Sequence, residues 1–355
     1  RRPPRSTPKP SSAASDVYKR QYIWRPFYKI AEKIHLKSPS LMDNWISRKD
    51  IENFLYITDY QVIKKFNAML LPIYIPVISF LFNMLLANIP LINKLCFLQI
   101  VIARAYRVET EGKKYSCSII IPCKNESGNI RPAVERIPDM GKHTEIIFVD
   151  DKSTDTTREE ILEVIKEFPE KDIKLVDGPG ICKAKAVWSG FEAAKGDILM
   201  ILDGDLTVPP EELPRFYKLL SSHKAEFVNG SRMIYPMEKG AMRLLNLIGN
   251  KVFAILFSYL LEQTVKDTLC GTKALFRKDY YRIKKFRNLW GEFDRWGDHE
   301  LLFGASKLNL KIVDLPVHYL ERKYGETKMR KRFYNAYLMF RAAILAFYYL
   351  KIGER

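Results

Sequence analysis

Two carboxylates, Asp203 and Asp205, follow directly after an uninterrupted apolar run, Ile198 to Leu202. Such a run is typical of a strand buried on both faces of a parallel sheet, and ligands bind beyond the carboxyl ends of such strands. Carboxylate oxygens suit Mg²⁺ or Mn²⁺ where these ions bridge phosphates, and Gly204 lets the backbone come close to a ligand. An Asp-Gly turn without a ligand is the alternative interpretation of an isolated motif.

Two earlier apolar runs also end in polar residues, which weakens the interpretation as a simple turn. Helical segments separate the three runs, and strands that alternate with helices form a parallel, doubly wound α/β sheet. Since the carboxyl ends of parallel strands share one edge, the sequence predicts that the polar groups converge on one site. The polar residues are Asn125 and Glu126 after the first run, and Asp150 and Asp151 after the second.

The chain of 355 residues is 47% hydrophobic, which excludes a disordered polypeptide, and its formal net charge is +17. This charge favours an anionic partner: nucleic acid, a lipid surface or a phosphorylated substrate. We expect no nucleic acid, because its motifs are missing, the basic residues are dispersed, and the acidic strand ends would repel phosphate without a metal. The five cysteines show no CxxC spacing, which argues against a disulfide framework or a zinc site.

Composition divides the chain into four parts. Residues 1–21 combine Pro, Ser, Arg and Lys without periodicity and look like an artefact, so we set them aside from the fold prediction. Residues 22–108 form a second segment, 116–330 hold the doubly wound domain, and 331–355 form a basic, amphipathic C-terminal helix.

The stretch from Phe66 to Asn93 contains no charged residue and is long enough to be a transmembrane candidate. Pro72, Pro76 and Pro90 would break a single helix, so we expect that it does not span a membrane.

Residues 22–108 resemble the C-terminal end of class I SAM-dependent methyltransferases. The resemblance rests on a helix motif from Asn44 to Leu55, a Leu-Leu-Pro loop ending at Pro72, and a strand that ends in Ala-Arg-Ala at Ala105. No glycine-rich SAM loop precedes these motifs, so this remnant is not expected to bind SAM as that family does. Its apolar stretch is then either a surface left by a lost half-sheet or one that rests on a membrane.

Residues 116 to about 330 resemble family 2 glycosyltransferases of GT-A fold, especially the polyprenyl-phosphate sugar synthases of the dolichol-phosphate mannose synthase type. The resemblance implies an inverting transferase that takes a sugar from a nucleotide-diphosphate sugar, uses Mg²⁺ or Mn²⁺, and acts on a polyprenyl phosphate at the cytoplasmic membrane face. The motifs follow one another in the family's order: Ile121–Glu126, Val149–Asp155, Gly190–Asp197, Leu202–Asp205, Pro209–Leu213, Gly230–Arg232, Asp267–Lys273 and Glu321–Lys328.

The resemblance also implies roles for individual residues. The nucleotide sugar would be bound by Pro122, Cys123, Asn125, Glu126, Asp150, Asp151, Lys183 and Asp203, and the metal by Asp203 and Asp205. The acceptor would be bound by Arg232, Arg243 and Lys328, and the catalytic residues would be Asp205, Asp298 and Arg322. The chain departs from the family at Cys182-Lys183-Ala184, where Gly-Lys-Gly is usual, so this loop is expected to be stiffer.

Two acceptor classes stay open. A phosphomonoester has its second pKa near 6, so a lipid phosphate is already anionic at neutral pH and needs no general base. A hydroxyl acceptor, such as a glycan or glycolipid, needs a base, and Asp298 is the candidate. Alternatively, the acidic residues from Asp298 to Glu300 only cap a helix. His299 between them is expected at the surface.

Two apolar segments suggest contact with a membrane. The first, Met242 to Leu261, fits a buried core helix or a membrane-surface helix equally well. The second, from Phe333 to Leu350, is interrupted only by Arg341 and follows a basic run. An arginine at mid-bilayer costs about 2.5–3.5 kcal/mol, so we expect this helix to lie in the interface of an anionic membrane. The sequence thus predicts a cytoplasmic protein that is peripherally associated with the membrane.

Overall fold

The computed structural model describes residues 15–20, 22–35, 47–105, 115–235, 244–290, 294–322, 324 and 332–353. Two of the predicted acceptor-binding residues, Arg243 and Lys328, therefore lie outside the described residues, as does most of the basic run before the last helix. The chain divides into two compact units, one made of residues 1–107 and 351–355 and the other of residues 108–350.

The first unit is built on a three-stranded antiparallel sheet in the order β1-β3-β2. Its helix α2 begins with a capping box, in which Ser47 and Asp50 exchange hydrogen bonds between side chain and backbone N–H. Residues 15–20, which the sequence analysis sets aside, form β1 and pair with β3. The elements are β1 (Ser15–Arg20), α1 (Arg25–Lys33), α2 (Arg48–Ile57), β2 (Tyr60–Ala68), α3 (Ile78–Met84) and β3 (Leu98–Ala105), with short 3₁₀ helices at Tyr22–Trp24, Leu86–Asn88 and Ile92–Leu95.

The second unit alternates strands and helices, as predicted. Its strands are β4 (Cys117–Cys123), β5 (Thr144–Asp150), β6 (Asp172–Asp177), β7 (Ile198–Ile201), β8 (Phe227–Ser231), β9 (Lys273–Phe276) and β10 (Ile312–Pro316). Its helices are α4 (Ile130–Arg136), α5 (Thr157–Glu167), α6 (Lys183–Ala193), α7 (Leu213–Ser221), α8 (Leu244–Leu261), α9 (Arg277–Lys284), α10 (Asp298–Lys307) and α11 (Arg332–Phe347). Shorter 3₁₀ helices lie at Pro210–Glu212 and Arg287–Leu289, and a π-helical turn at Tyr348–Ile352 follows α11.

The seven strands of this unit form one sheet in the order β10-β8-β9-β7-β4-β5-β6. All strands are parallel except β9, which runs antiparallel to both of its neighbours. This mixed, mostly parallel α/β sheet confirms the predicted fold class. The strand that contains Pro316 lies at the edge of the sheet, as its proline predicts.

Both faces of the sheet are buried, which explains the uninterrupted apolar runs. Along β4, Ile119 and Ile121 join a core with α4, α5 and α7, whereas Ile120 joins a second core with α6, α8, α9 and α10. Successive strand side chains point to opposite faces, so a strand covered by helices on both sides is mostly apolar along its length. Buried polar side chains within the strands, such as Ser118 and Asn229, are hydrogen-bonded, and the polar residues that the sequence singles out follow the strand ends.

Within the described ranges, no helix combines the length and the apolar character that are needed to cross a membrane. The charge-free stretch from Phe66 to Asn93 is divided among the end of β2, α3 and two 3₁₀ helices.

Close packing of α6 on the sheet gives a stability prediction. A methyl group at Gly190 would lie 2.5 Å from Ile120 Cγ2 and 3.0 Å from Val149 Cγ2, so Gly190→Ala should lower the free energy of unfolding by about 1–3 kcal/mol. Gly249 in α8 has no atom within 4 Å of the corresponding position, and Gly249→Ala should raise it by about 0.5–1 kcal/mol. Urea denaturation of both variants tests the contrast, and equal stabilities would contradict it.

Candidate active site

The carboxyl ends of β4, β5 and β7 open onto a cavity of about 530 Å³. Since these strands are parallel neighbours in the sheet, the polar residues that follow them converge, as the sequence predicts. Ten of the predicted site residues line this cavity: Pro122, Cys123, Glu126, Asp151, Lys183, Asp203, Asp205, Arg232, Asp298 and Arg322.

Two predicted nucleotide-binding residues, Asn125 and Asp150, are not among the described residues that line the cavity. The Asn125 amide instead ties two loops together, accepting from the Thr154 N–H at 2.8 Å and donating to its hydroxyl at 3.2 Å. Asp150 is buried, accepts the Ser153 N–H at 3.0 Å and lies 3.4 Å from the Arg158 guanidinium. Their contacts shape the loops around the cavity.

Asp203 forms an ion pair with Lys183. Burial by itself would raise the pKa of Asp203, but the positive charges of Lys183, Arg232 and Lys273 together hold that pKa below its usual value. Although burial lowers the pKa of Lys183, the carboxylates of Asp203 and Asp298 raise it overall. Both side chains are therefore charged at neutral pH. A methyl group at Gly271 would collide with both of them, so this position must be glycine for the pair to sit there.

Asp205 uses both of its carboxylate oxygens. Oδ1 accepts the Thr207 N–H at 3.1 Å and the Thr207 hydroxyl at 2.8 Å, which fixes the turn after the strand. Oδ2 accepts from Arg322, which comes from the chain segment after β10. The carboxylate is thus held by its own turn on one side and by a distant cation on the other.

The donor set at this point fits a divalent ion that is shared with a ligand. Within the described part of the chain, no group of three or more His, Cys, Asp or Glu residues could hold a metal. Mg²⁺, however, is commonly bound through one or two carboxylates while phosphate oxygens and water complete its octahedron. Asp203 and Asp205 are two such carboxylates at one cavity. Asp203 is paired with the Lys183 ammonium and Asp205 with the Arg322 guanidinium.

Asp298 opens α10 but does not cap it. The cap is Asp294, whose carboxylate accepts four backbone N–H groups, those of Trp296, Gly297, His299 and Glu300, at 2.8–3.1 Å. Asp298 is therefore available to the cavity, where its Oδ1 lies 2.9 Å from the buried Lys273 ammonium. Burial raises the pKa of Asp298 above its usual value, although Lys273 and Lys183 act in the opposite direction.

His299 is buried, which corrects the expectation that it lies at the surface. Its ring packs against Phe257 and Trp296, with centroid distances of 5.0 and 5.8 Å. Neither ring nitrogen has a hydrogen-bond partner among the described residues, and burial lowers the pKa of the ring. The histidine is a neutral core residue behind Asp298.

Arg232 lines the cavity, but its guanidinium is already engaged. It donates to both oxygens of Asp267, at 2.7 and 2.9 Å, and lies over the Tyr319 ring at 4.9 Å. Burial alone would raise the pKa of Asp267, yet Arg232 outweighs burial and lowers that pKa to about 2. The pair is a fixed part of the cavity wall.

The structure adds cavity residues to which the sequence analysis gives no role. Arg295 and Trp296 lie just before the predicted Asp298, and Asn335 is the amide within an otherwise apolar helix, so local signals existed for these three. Lys124 lies within the Ile121–Glu126 motif, whereas Tyr319 had no such signal. The residues added to the lining include Lys124, Thr207, Arg295, Trp296, Tyr319 and Asn335.

Comparison with known proteins identifies the segment that carries this cavity. Residues 118–283 match the family described as Glycosyl transferase family 2. The chain is 36% identical over 121 residues to the dolichol-phosphate mannosyltransferase of Saccharomyces cerevisiae, an alignment that covers 32% of this chain and 44% of that protein. It is 25% identical over 217 residues to the undecaprenyl-phosphate 4-deoxy-4-formamido-L-arabinose transferase of Edwardsiella ictaluri, which covers 59% of this chain and 62% of that protein. The chain thus spans less than two thirds of the length of either relative.

Solved structures of glycosyltransferases resemble the chain more distantly. A glucosyl-3-phosphoglycerate synthase from Mycobacterium tuberculosis has a TM-score of 0.47 and 18% identity, and the alignment covers 70% of this chain and 84% of that one. A mannosyltransferase from Pyrobaculum calidifontis has a TM-score of 0.44 and 17% identity, with 68% and 76% covered.

The buried pair of Arg232 and Asp267 gives a pH-dependent prediction. Asp267→Asn leaves a buried guanidinium without its counter-charge, which should cost about 3–5 kcal/mol of unfolding free energy near neutral pH. The pKa of Asp267 is lower in the folded chain than in the unfolded chain. The ionised carboxylate therefore contributes its full stabilisation above about pH 4, the usual pKa of an aspartate in an unfolded chain, and this stabilisation is lost as pH falls towards about 2. The difference between variant and wild type should shrink over that window.

The matched control is the exposed pair of Asp177 and Arg158, which are 2.6 Å apart. Asp177→Asn should cost less than about 1 kcal/mol, because solvent screens an exposed pair. Denaturant titrations across the pH range measure both variants. A loss for Asp267→Asn no larger than that for Asp177→Asn would contradict the analysis.

Proposed function

We propose that this chain, whose residues 118–283 match the glycosyl transferase family 2, moves a sugar from a nucleotide-diphosphate sugar to a polyprenyl phosphate. The observation that carries the proposal is the composition of one cavity. It joins the carboxylates of Asp203 and Asp205 with basic groups, including Lys183 and Arg322, and it reaches Asn335 on an apolar helix. Both substrates are anionic, and one of them is a lipid.

The donor would bind at the carboxyl ends of β4, β5 and β7. Asp151 and Glu126 would contact the nucleoside, while Lys183 would exchange part of its pairing with Asp203 for the diphosphate. Mg²⁺ or Mn²⁺, held by Asp203 and Asp205, would stabilise the negative charge that develops on the leaving diphosphate. Arg322 would move from Asp205 to the diphosphate, because a carboxylate that binds a metal no longer needs an arginine.

In the transfer itself, the bond between the anomeric carbon and the diphosphate oxygen breaks. The diphosphate leaves with the bonding electron pair, and an oxygen of the acceptor phosphate forms the new bond from the opposite face. The acceptor arrives deprotonated, since a phosphomonoester has its second pKa near 6. The chain's own task is to hold both anions in line and to stabilise the leaving group, with Arg295 and the predicted Arg232, Arg243 and Lys328 near the acceptor.

The apolar helices support a lipid acceptor. α8 and α11 pack against each other, and each has a buried and an exposed side. The exposed side carries Val252 and Ile255 on α8, and Tyr337, Phe340 and Ile344 on α11. A helix that is apolar towards solvent and also borders the cavity would bring the enzyme to the surface where a polyprenyl phosphate lies. We place this surface at the cytoplasmic face of the membrane, with the protein bound peripherally.

A hydroxyl acceptor is the second candidate, and one observation favours it. Asp298 lines the cavity, is not used as a helix cap, and has a raised pKa, all of which suit a general base. Its pairing with Lys273 at 2.9 Å argues against this role, because the ammonium stabilises the ionised carboxylate and makes it a weaker base.

For the N-terminal unit, the resemblance to the C-terminal end of a methyltransferase stays a prediction.

The metal role of Asp205 is tested by Asp205→Asn. A neutral amide is a weaker ligand for a hard cation, so turnover that depends on Mg²⁺ or Mn²⁺ should be lost while the fold is kept. The measurement is release of nucleoside diphosphate from a panel of nucleotide sugars with a short polyprenyl phosphate. Asp139→Asn, the same change at an exposed position outside the cavity, is the control. Wild-type kcat in the Asp205 variant would remove this residue from the site.

The acceptor class is tested by comparing Asp298→Asn with Arg322→Ala. For a lipid phosphate, Asp298→Asn should lose little rate, whereas Arg322→Ala should lose much more and Arg322→Lys should recover part of it. For a hydroxyl acceptor, loss of the base should cost about 10²- to 10⁴-fold in kcat. Arg232→Ala is left out because it would leave Asp267 buried without a partner. Asp298→Asn likewise removes the counter-charge of the buried Lys273, so kcat of this variant is compared only after its thermal unfolding has been shown to match that of the wild type. An Asp298→Asn enzyme tenfold slower than Arg322→Ala would overturn the lipid-phosphate proposal.

A further inference from the structure

Residues 71–95 of the first unit form an apolar surface whose burial pattern is inverted. Its large hydrophobic side chains face outward, and the most exposed are Ile73, Tyr74, Val77, Phe80, Leu91 and Leu95, at 50–86% of their full exposure. Monomeric proteins in water rarely expose apolar side chains in such density, and a patch of this kind marks an interaction site.

The polar side chains of the same segment face inward. Ser79 and Asn88 are buried, and Asn83 is half-buried. Asn83 accepts the Leu71 N–H at 2.8 Å and donates to the Leu71 carbonyl at 2.9 Å. These side chains therefore replace water as partners for the irregular backbone around α3.

Other backbone groups of the segment are satisfied in the same way. The Ser79 hydroxyl accepts the Ile75 N–H at 2.7 Å and donates to the Ile73 carbonyl at 2.6 Å. The amide of Asn93 donates to the Ala87 carbonyl at 2.6 Å. A non-helical backbone can enter an apolar medium only when its polar groups are bonded internally, because an unsatisfied group there costs several kcal/mol.

Charge favours a lipid bilayer as the partner. From residue 60 to residue 108 the chain has no Asp or Glu, and the charge-free stretch is bounded by Lys94 and by Lys65, which pairs with Glu52 at 3.1 Å. A lysine such as Lys94 within an apolar segment suits anionic head groups, and Tyr74 is of the residue type that concentrates at the boundary between membrane and water. A protein partner could cover the same apolar side chains but would not require the backbone to be satisfied from within.

We infer that residues 71–95 insert into one leaflet of a membrane that contains anionic lipid. The segment lies at the boundary of head groups and acyl chains and does not span the bilayer. This inference is independent of the sugar-transfer proposal and of the C-terminal helix, and it assigns the N-terminal unit a membrane anchor of its own.

The first test is flotation of the full chain with vesicles of phosphatidylcholine, alone or mixed with phosphatidylglycerol. Val77→Asp and Phe80→Asp should each lower the partition coefficient between water and vesicles by about tenfold or more, because an apolar side chain that inserts into the membrane is replaced by a charge. Tyr56→Asp, at an exposed position of α2 in the same unit, should bind as the wild type does. All three positions are exposed, and equal thermal unfolding of the variants shows that folding is intact.

The second test reports insertion directly, so binding through another part of the chain cannot mask the result. The chain has five tryptophans of its own, so each variant is measured as the difference from the parent chain. In that difference, the emission added by Phe80→Trp should be blue-shifted and quenched by brominated lipid, whereas the emission added by Tyr56→Trp should not. Absence of quenching at position 80 would overturn the inference. So would a chain that self-associates without lipid and becomes monomeric on Phe80→Asp, because the surface would then bind a second copy. Neither assay needs donor or acceptor, so the outcome is separate from that of the transfer reaction.

Discussion

The constraint on which the second unit depends is that carboxylates gathered at one edge of a buried sheet must each be matched by a cation. Taking an isolated carboxylate out of water is costly, and removal of either partner leaves an uncompensated charge. The chain meets this constraint with four pairs: Asp203 with Lys183, Asp205 with Arg322, Asp267 with Arg232, and Asp298 with Lys273.

The four pairs differ in their exposure, and therefore in whether a ligand could replace one partner. Asp267 is fully buried and joined by two hydrogen bonds to Arg232, whose side chain is 11% exposed, and Lys273 is fully buried, so these pairs hold the wall of the cavity. Lys183 and Arg322 are partly exposed, as are their carboxylate partners. An anionic ligand with a divalent cation could replace both of these contacts at once, since each carboxylate and each base would regain an opposite charge. The resting ion pairs thus preserve the charges that the proposed reaction needs.

The first unit satisfies its polar groups by a different arrangement. Side-chain amides and a serine hydroxyl bond the backbone between β2 and β3, and this leaves the apolar side chains on the outside. Sequence hydropathy alone draws attention to this stretch as a transmembrane candidate, but its prolines prevent a long helix. Only the direction of Asn83 and Ser79 in three dimensions distinguishes an outward apolar surface from a buried core.

The sequence by itself determined the doubly wound α/β arrangement, the carboxyl edge at which the polar residues gather, and ten of the residues that line the cavity. Apolar runs that alternate with helices require a doubly wound sheet, and parallel strands carry their terminal residues to one edge, so Asp151, Asp203 and Asp205 could be found from spacing alone. The capping box at Ser47 was equally local.

Tertiary structure decided what depends on contacts between distant segments. The reversed direction of β9 brings Lys273 to Asp298, and the helix cap passes to Asp294, which leaves Asp298 facing the cavity. His299 lies in the core because the rings of Phe257 in α8 and Trp296 in the preceding loop pack against it. Asn125 ties two loops together, and Asn335 reaches the cavity from α11. Local patterns report the spacing of residues along one element. They carry no information on which distant side chain will satisfy a buried charge, and that is settled only when the elements pack.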